Sequence, residues 1–136
     1  MSTFLTAKAR DLAALRAKLR EDPAFVVIGL CAAWCRTCGE FEDAFDRLAA
    51  ERPGALFLWL DIEDDSTLVG DIEVENFPTL AVYRDGVPVH FGISLPQEGL
   101  VRRVLEALAT AQPGPAPADL PAAVETLLQR VRELAG

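Results

Sequence analysis

Apolar positions along the chain fall into two periods. From Thr3 to Glu21 they recur at helical spacing: Leu5, Leu12, Leu15 and Leu19, with Ala7, Ala14 and Ala17 nearby. Asp22-Pro23 stops that helix. Ala24–Leu30 follows, an unbroken apolar run rich in β-branched residues, with the length of a strand buried on both faces. Residues 38–50 return to helical spacing, with Phe41, Ala44, Phe45 and Leu48 on one face, until Pro53-Gly54 breaks the pattern. Ala55–Leu60 predicts a second buried strand and Thr79–Tyr83 a third. Between them lies an acidic connection, Asp61–Glu75, with a short helix expected near Ser66–Gly70 and Pro78 at its end. Asp85-Gly86 is a two-residue hairpin signal, so Val87–Phe91 is expected as an antiparallel fourth strand. Ser94 is placed to cap a helix running to about Thr110.

The predicted order is α-β-α-β-α-β-β-α. A right-handed crossover makes the first two strands parallel, and helices are expected on both faces of the sheet. Residues 1–112 read as one domain. The stretch 113–136 reads as a proline-rich linker, with Pro113, Pro115 and Pro117, followed by an amphipathic helix capped by Asp119 with Pro121 in its first turn. Leu120, Val124, Leu127, Val131 and Leu134 form a narrow apolar seam on that helix. The seam is expected to dock on its own domain; the alternative is a homodimer or client contact through Leu120–Leu134.

Charge narrows the function classes. The 136 residues carry a net charge of −8, with a pI near 4.6. That disfavours nucleic acid, whose binding needs a basic surface, and docking on an anionic membrane. No apolar run reaches the roughly 18 residues of a membrane span. Lys8, Arg10, Asp11, Arg16, Lys18 and Arg20 interrupt any leader-like apolar core, so a cytoplasmic location is expected. Asp61, Glu63, Asp64, Asp65, Asp71, Glu73 and Glu75 carry nearly the whole net charge; they read as a solvated loop, or as a face that favours basic partners.

The three cysteines, Cys31, Cys35 and Cys38, cluster where the first predicted strand meets the second helix. Clustering of this kind points to redox chemistry or metal binding rather than a secreted disulfide scaffold. Cys35-Arg36-Thr37-Cys38 places one sulfur at a helix N-terminus, where unpaired N–H groups favour a thiolate, with Arg36 beside it. Cys38, one turn into the helix, can reach back. Cys35 is the candidate nucleophile and Cys38 the candidate resolving thiol. Cys31 reads as a buried free cysteine, turned away from the pair by strand alternation. The C-x-x-x-C-x-x-C spacing is shared with radical-SAM enzymes, but their barrel is larger than this chain, and zinc would need a fourth ligand. His90, the single histidine, reads as a surface residue of the hairpin. No metal and no cofactor are expected.

Ala33-Trp34-Cys35-Arg36-Thr37-Cys38 at a strand–helix junction resembles the thioredoxin active site, and Phe77-Pro78-Thr79-Leu80 resembles that family's cis-proline segment. The resemblance continues through Asp85-Gly86 and Gly92 and covers about Phe25 to Leu108. It implies a thioredoxin fold of the α/β class: a central mixed sheet of four strands, or five, helices on both faces, and here an extra C-terminal helix. It also implies a thiol–disulfide oxidoreductase that reduces or exchanges protein disulfides through Cys35 and Cys38. Trp34, Arg36, Thr37, Phe77 and Pro78 would border the substrate, and electrons would come from a reductase or a small thiol. The alternative is a thioredoxin-fold adaptor or co-chaperone that binds a client through the acidic face and tail helix.

Departures from the family pattern are specific. Arg36-Thr37 stands where thioredoxins usually carry Gly-Pro. Gly29 stands where a buried acid is usual, and Trp59 where a lysine commonly partners that acid. The amino-terminal strand of typical thioredoxins is not evident. Loss of the acid is expected to slow resolution by Cys38. Loss of the proline and the presence of Arg36 favour the Cys35 thiolate and so the reduced form. The couple is therefore expected to be more oxidising than thioredoxin's roughly −270 mV, in the range of about −230 to −180 mV; equilibration with glutathione reads it, and a value at or below the thioredoxin figure contradicts the expectation.

Overall fold

The computed structural model describes residues 5–6, 12–32, 35–52, 54–63, 78–93, 97–110 and 122–135. Five strands form one sheet: β1 (Leu5–Thr6), β2 (Phe25–Cys31), β3 (Leu56–Asp61), β4 (Thr79–Arg84) and β5 (Val87–Ile93). Among the described residues, four helices pack on it: α1 (Leu12–Arg20), α2 (Arg36–Glu51), α3 (Glu98–Thr110) and α4 (Ala122–Ala135). The strand order is β1-β3-β2-β4-β5. β3 runs parallel to β1 and β2, while β4 is antiparallel to β2 and β5. This is the expected mixed sheet, with β1 at one edge as its fifth strand.

The periods read from the sequence account for most of these elements. All seven residues of β2 are buried, as a central strand covered on both faces requires. The hairpin turns at Asp85 and Gly86, both at positive φ (53° and 82°), which the Asp-Gly pair accommodates. The opening segment differs from expectation. The described part of the helix read from Thr3 is Leu12–Arg20, and Leu5–Thr6 instead pairs with Leu58 and Trp59. A two-residue strand carries no alternation of its own, and Leu5 falls in step with the helical leucines that follow. The expected short helix near Ser66–Gly70 lies outside the described residues.

Two apolar layers sandwich the sheet. On one face, Val26, Ile28 and Leu30 of β2 join Leu56, Leu58 and Leu60 of β3, Ala81 and Tyr83 of β4, and Leu15 of α1. α4 closes this layer with Val124, Leu127, Leu128 and Val131. Val124, Leu127 and Val131 of the tail seam thus pack on the chain's own sheet, Leu128 widens that stripe to the broader face of a docked helix, and Leu120 and the Leu134 side chain lie outside the described residues. The buried Tyr83 hydroxyl donates a hydrogen bond to the Val124 carbonyl, tying α4 to the middle of the sheet, and burial raises the Tyr83 pKa.

The other face carries the cysteines. There Val27, Phe57, Leu80 and Val82 meet Phe41, Ala44, Phe45 and Leu48 of α2 and Val101 and Leu105 of α3. At the rim, Arg102 of α3 binds both Glu51 carboxylate oxygens (2.8 and 2.6 Å) and reaches Glu98 (2.8 Å), which also accepts from Arg47 at 2.7 Å. These exposed pairs orient α3 against α2 more than they stabilise it. Hydrogen bonding from Arg102 holds the Glu51 pKa below the usual carboxylate value.

Leu127 has no solvent exposure. Leu127→Ala is expected to lower unfolding stability by about 2–5 kcal/mol. Urea denaturation checks it, and a loss under about 1 kcal/mol would contradict a tail helix packed into the core.

Candidate functional site

The corner between β2 and α2 brings all three cysteines together. β2 ends at Cys31, and Ala32 carries the chain toward the helix. A turn closes there through a hydrogen bond from the Cys35 N–H to the Ala32 carbonyl (3.0 Å). Cys35 is the N-cap of α2, extended at φ −87° and ψ 117°, and its side chain makes no capping hydrogen bond. Its carbonyl accepts the first helical bond, from the Gly39 N–H at 3.2 Å. The Cys35 thiol is free and half-buried. Cys38, in the first turn of α2, is 2% exposed.

Cys38 is disulfide-bonded to Cys31, with a Cα–Cα distance of 5.8 Å. Cys31 was expected to be free and turned away; instead it faces α2. Phase along β2 explains this. Phe25 and Val27 pack in the layer that contains α2, and positions 29 and 31 share their side of the strand. Cys31, like Cys38, is 2% exposed. The sequence signal for this partner was parity: Cys31 is in step with Val27, not with Ile28 and Leu30. The bond staples the end of the central strand to the first turn of the helix.

The remaining candidates surround this corner. Arg36 is exposed and Thr37 half-buried in the first turn of α2, and Pro78 is buried just before β4. Trp34 and Phe77 lie outside the described residues. Asp61, first read as part of the acidic loop, is the last residue of β3. It is only 9% exposed and is the register partner of Cys31. Its carboxylate accepts a hydrogen bond from the Glu63 N–H at 2.8 Å. The acidic residues from Asp64 to Glu75 lie outside the described residues. His90 is half-buried on β5 opposite Val82, and burial lowers its pKa. Among the described residues, no group of three or more His, Cys, Asp or Glu is arranged to hold a metal ion. No helix among them is long and apolar enough to cross a membrane.

Known proteins share this fold. The family model described as thioredoxin matches residues 8–105. The chain belongs to the thioredoxin family. A thioredoxin from Echinococcus granulosus is 27% identical over 109 residues, covering 80% of this chain and 100% of that protein. A Staphylococcus aureus thioredoxin is 34% identical over 64 residues, covering 46% of this chain and 62% of that protein. Among solved structures, a mutant thioredoxin from Halobacterium salinarum superposes with a TM-score of 0.63 at 23% identity, covering 83% of this chain and 98% of that one. A poplar thioredoxin h also gives 0.63, at 19% identity, covering 80% and 99%. The fold is that of thioredoxin, and thiol–disulfide oxidoreduction is the family's general activity.

Against that family pattern, Gly29 and Trp59 take on a meaning that neither has alone. They are register partners in the ladder between β2 and β3. A Cβ built on Gly29 would lie 3.2 Å from Trp59 Cε3 and 3.3 Å from Phe45 Cε1. The indole thus fills the space over the glycine, stacked edge-to-face on Phe45 with ring centroids 5.1 Å apart. An apolar ring cluster occupies the place where thioredoxins usually bury an acid and its lysine.

Gly29→Ala is expected to cost about 1–3 kcal/mol by overpacking. Adding Trp59→Phe should recover part of that loss, with a coupling of at least about 0.5 kcal/mol in a double-mutant cycle of unfolding free energies. Strict additivity would contradict the fit.

Proposed function

We propose that the protein reduces or exchanges protein disulfides, with Cys35 as the attacking nucleophile and Cys38 as the resolving thiol. The observation that carries the reading is the free, half-buried Cys35 thiol at the N-cap of α2, one turn before a buried Cys38 already engaged in a disulfide. Cys35 and Cys38 occupy one corner of the fold. The partly exposed sulfur is the one that a substrate can meet.

The cycle follows from thiol–disulfide exchange. In the reduced protein, with the Cys31–Cys38 bond opened to two thiols, the Cys35 thiolate attacks one sulfur of a substrate disulfide and expels the other half as a thiol. Cys38 then attacks Cys35 Sγ and releases the bound half. Positions 35 and 38 lie one turn apart, so this step is intramolecular. Trp34, Arg36, Thr37, Phe77 and Pro78 would border the substrate chain. Arg36, exposed in the first turn, gives that border a positive charge. A reductase or a small thiol in the cytoplasm would return the electrons. The chemistry described needs only sulfur and protons.

Insulin reduction in the presence of dithiothreitol tests the proposal. Catalytic amounts of the protein are expected to shorten the lag before precipitation. Cys35→Ser should abolish the effect, and Cys38→Ser should accumulate a mixed disulfide on Cys35. No acceleration by the wild type, or full activity in Cys35→Ser, contradicts the assignment.

A further inference from the structure

Three sulfurs share the β2–α2 corner, and the bond between them is not the one that the C-x-x-C spacing suggests. Cys38 lies one helical turn from Cys35 and is bonded to Cys31. Cys38 thus has a bonded partner in Cys31 and a free thiol, Cys35, one helical turn away. The two differ in access: Cys31 is 2% exposed, whereas Cys35 is half-buried at the helix N-terminus. We infer that Cys31 is a third redox cysteine, which takes over the disulfide from Cys35 and leaves the Cys35 thiol free in the oxidised protein. The inference rests on the oxidoreductase reading above and adds a catalytic residue to it.

The steps balance. Cys35 and Cys38 reduce a substrate disulfide to two thiols and become the Cys35–Cys38 disulfide. The Cys31 thiolate then attacks Cys38 Sγ, the Cys35–Cys38 bond breaks, and Cys35 leaves as a thiolate. In sum, two electrons pass from Cys31 and Cys38 to the substrate disulfide. Their two thiol protons end on the two product thiols. Cys35 is unchanged overall and acts as the carrier between the surface and the buried pair.

Burial makes this order directional in space. An external dithiol cannot approach a bond whose two cysteines are each 2% exposed. Reduction has to retrace the path. Cys35 attacks Cys38 Sγ, Cys31 leaves as a thiol, and the resulting Cys35–Cys38 bond presents the accessible Cys35 sulfur to the reductant. The apolar surroundings deepen the shielding, because positions 29 and 31 of β2 lie on the face packed by Phe41, Phe45 and Trp59. The oxidised resting state is thus protected, yet it still carries a thiol at its mouth.

The full chain tests this directly. It is oxidised with glutathione disulfide, quenched in acid, alkylated and digested with trypsin. Cleavage after Arg36 separates Cys38 from the peptide that holds both Cys31 and Cys35. Fragmentation of that peptide then shows which of the two carries the alkyl group. The relay predicts the label on Cys35 and the Cys31–Cys38 linkage in the bulk of the oxidised protein. A label on Cys31, with Cys35 linked to Cys38, overturns the relay; if such protein still reduces insulin, the oxidoreductase reading stands without it. A second measurement uses kinetics. In Cys35→Ser, dithiothreitol should reduce the Cys31–Cys38 bond at least about tenfold more slowly than in the wild type, because the accessible carrier is gone. Equal rates overturn the relay.

Discussion

Burial of β2 on both faces is the constraint from which the rest of the structure follows. A strand at the centre of a sheet must offer apolar side chains in both directions, and its period of two divides them without exception. Val26, Ile28 and Leu30 go to the layer closed by α1 and α4, and Phe25 and Val27 to the layer closed by α2 and α3. The same count that buries Val27 under α2 delivers Cys31 to the first turn of that helix. Fold and chemistry are therefore not separate facts about the corner. The alternation that builds the core also chooses which cysteine can meet Cys38.

Polar and apolar solutions to one packing problem are visible in the layer below α2. Gly29 and Trp59 face each other across two paired strands, and the indole occupies what a side chain at position 29 would need. A buried carboxylate there would have to be paired or protonated. The ring cluster of Phe41, Phe45, Phe57 and Trp59 avoids that cost and leaves the corner without the internal acid usual in the family. Among the described residues the buried acid is Asp61, at the end of β3 in register with Cys31.

The order of the described elements from α1 onward, the hairpin and the helix face that carries Cys38 were legible in the sequence because each has a local signal: period, Asp-Gly, and a C-x-x-C after an apolar run. The first strand was not, since two residues cannot show a period and Leu5 fits the helix behind it. The orientation of Cys31 was harder for a different reason. When every position of a strand is apolar, the pattern states that both faces are buried but not which helix covers which face. That assignment is tertiary, and it reverses the reading of Cys31 from a spare thiol to a bonded one. The tail shows the intermediate case. Its seam announced a docked helix, but the residue that broadens the face, Leu128, sits beside the stripe rather than in it.

The central claim is an order of sulfur chemistry, from an accessible thiol to a buried pair. The most direct measurement is an acid-quenched time course of the fully reduced protein with one equivalent of a disulfide-containing protein, with each species mapped by peptide. The account predicts a mixed disulfide on Cys35 first, then Cys35–Cys38, and finally Cys31–Cys38 as Cys35 returns to a thiol. A first adduct on Cys31 or Cys38, or a Cys31–Cys38 bond that forms before any species involving Cys35, would contradict it.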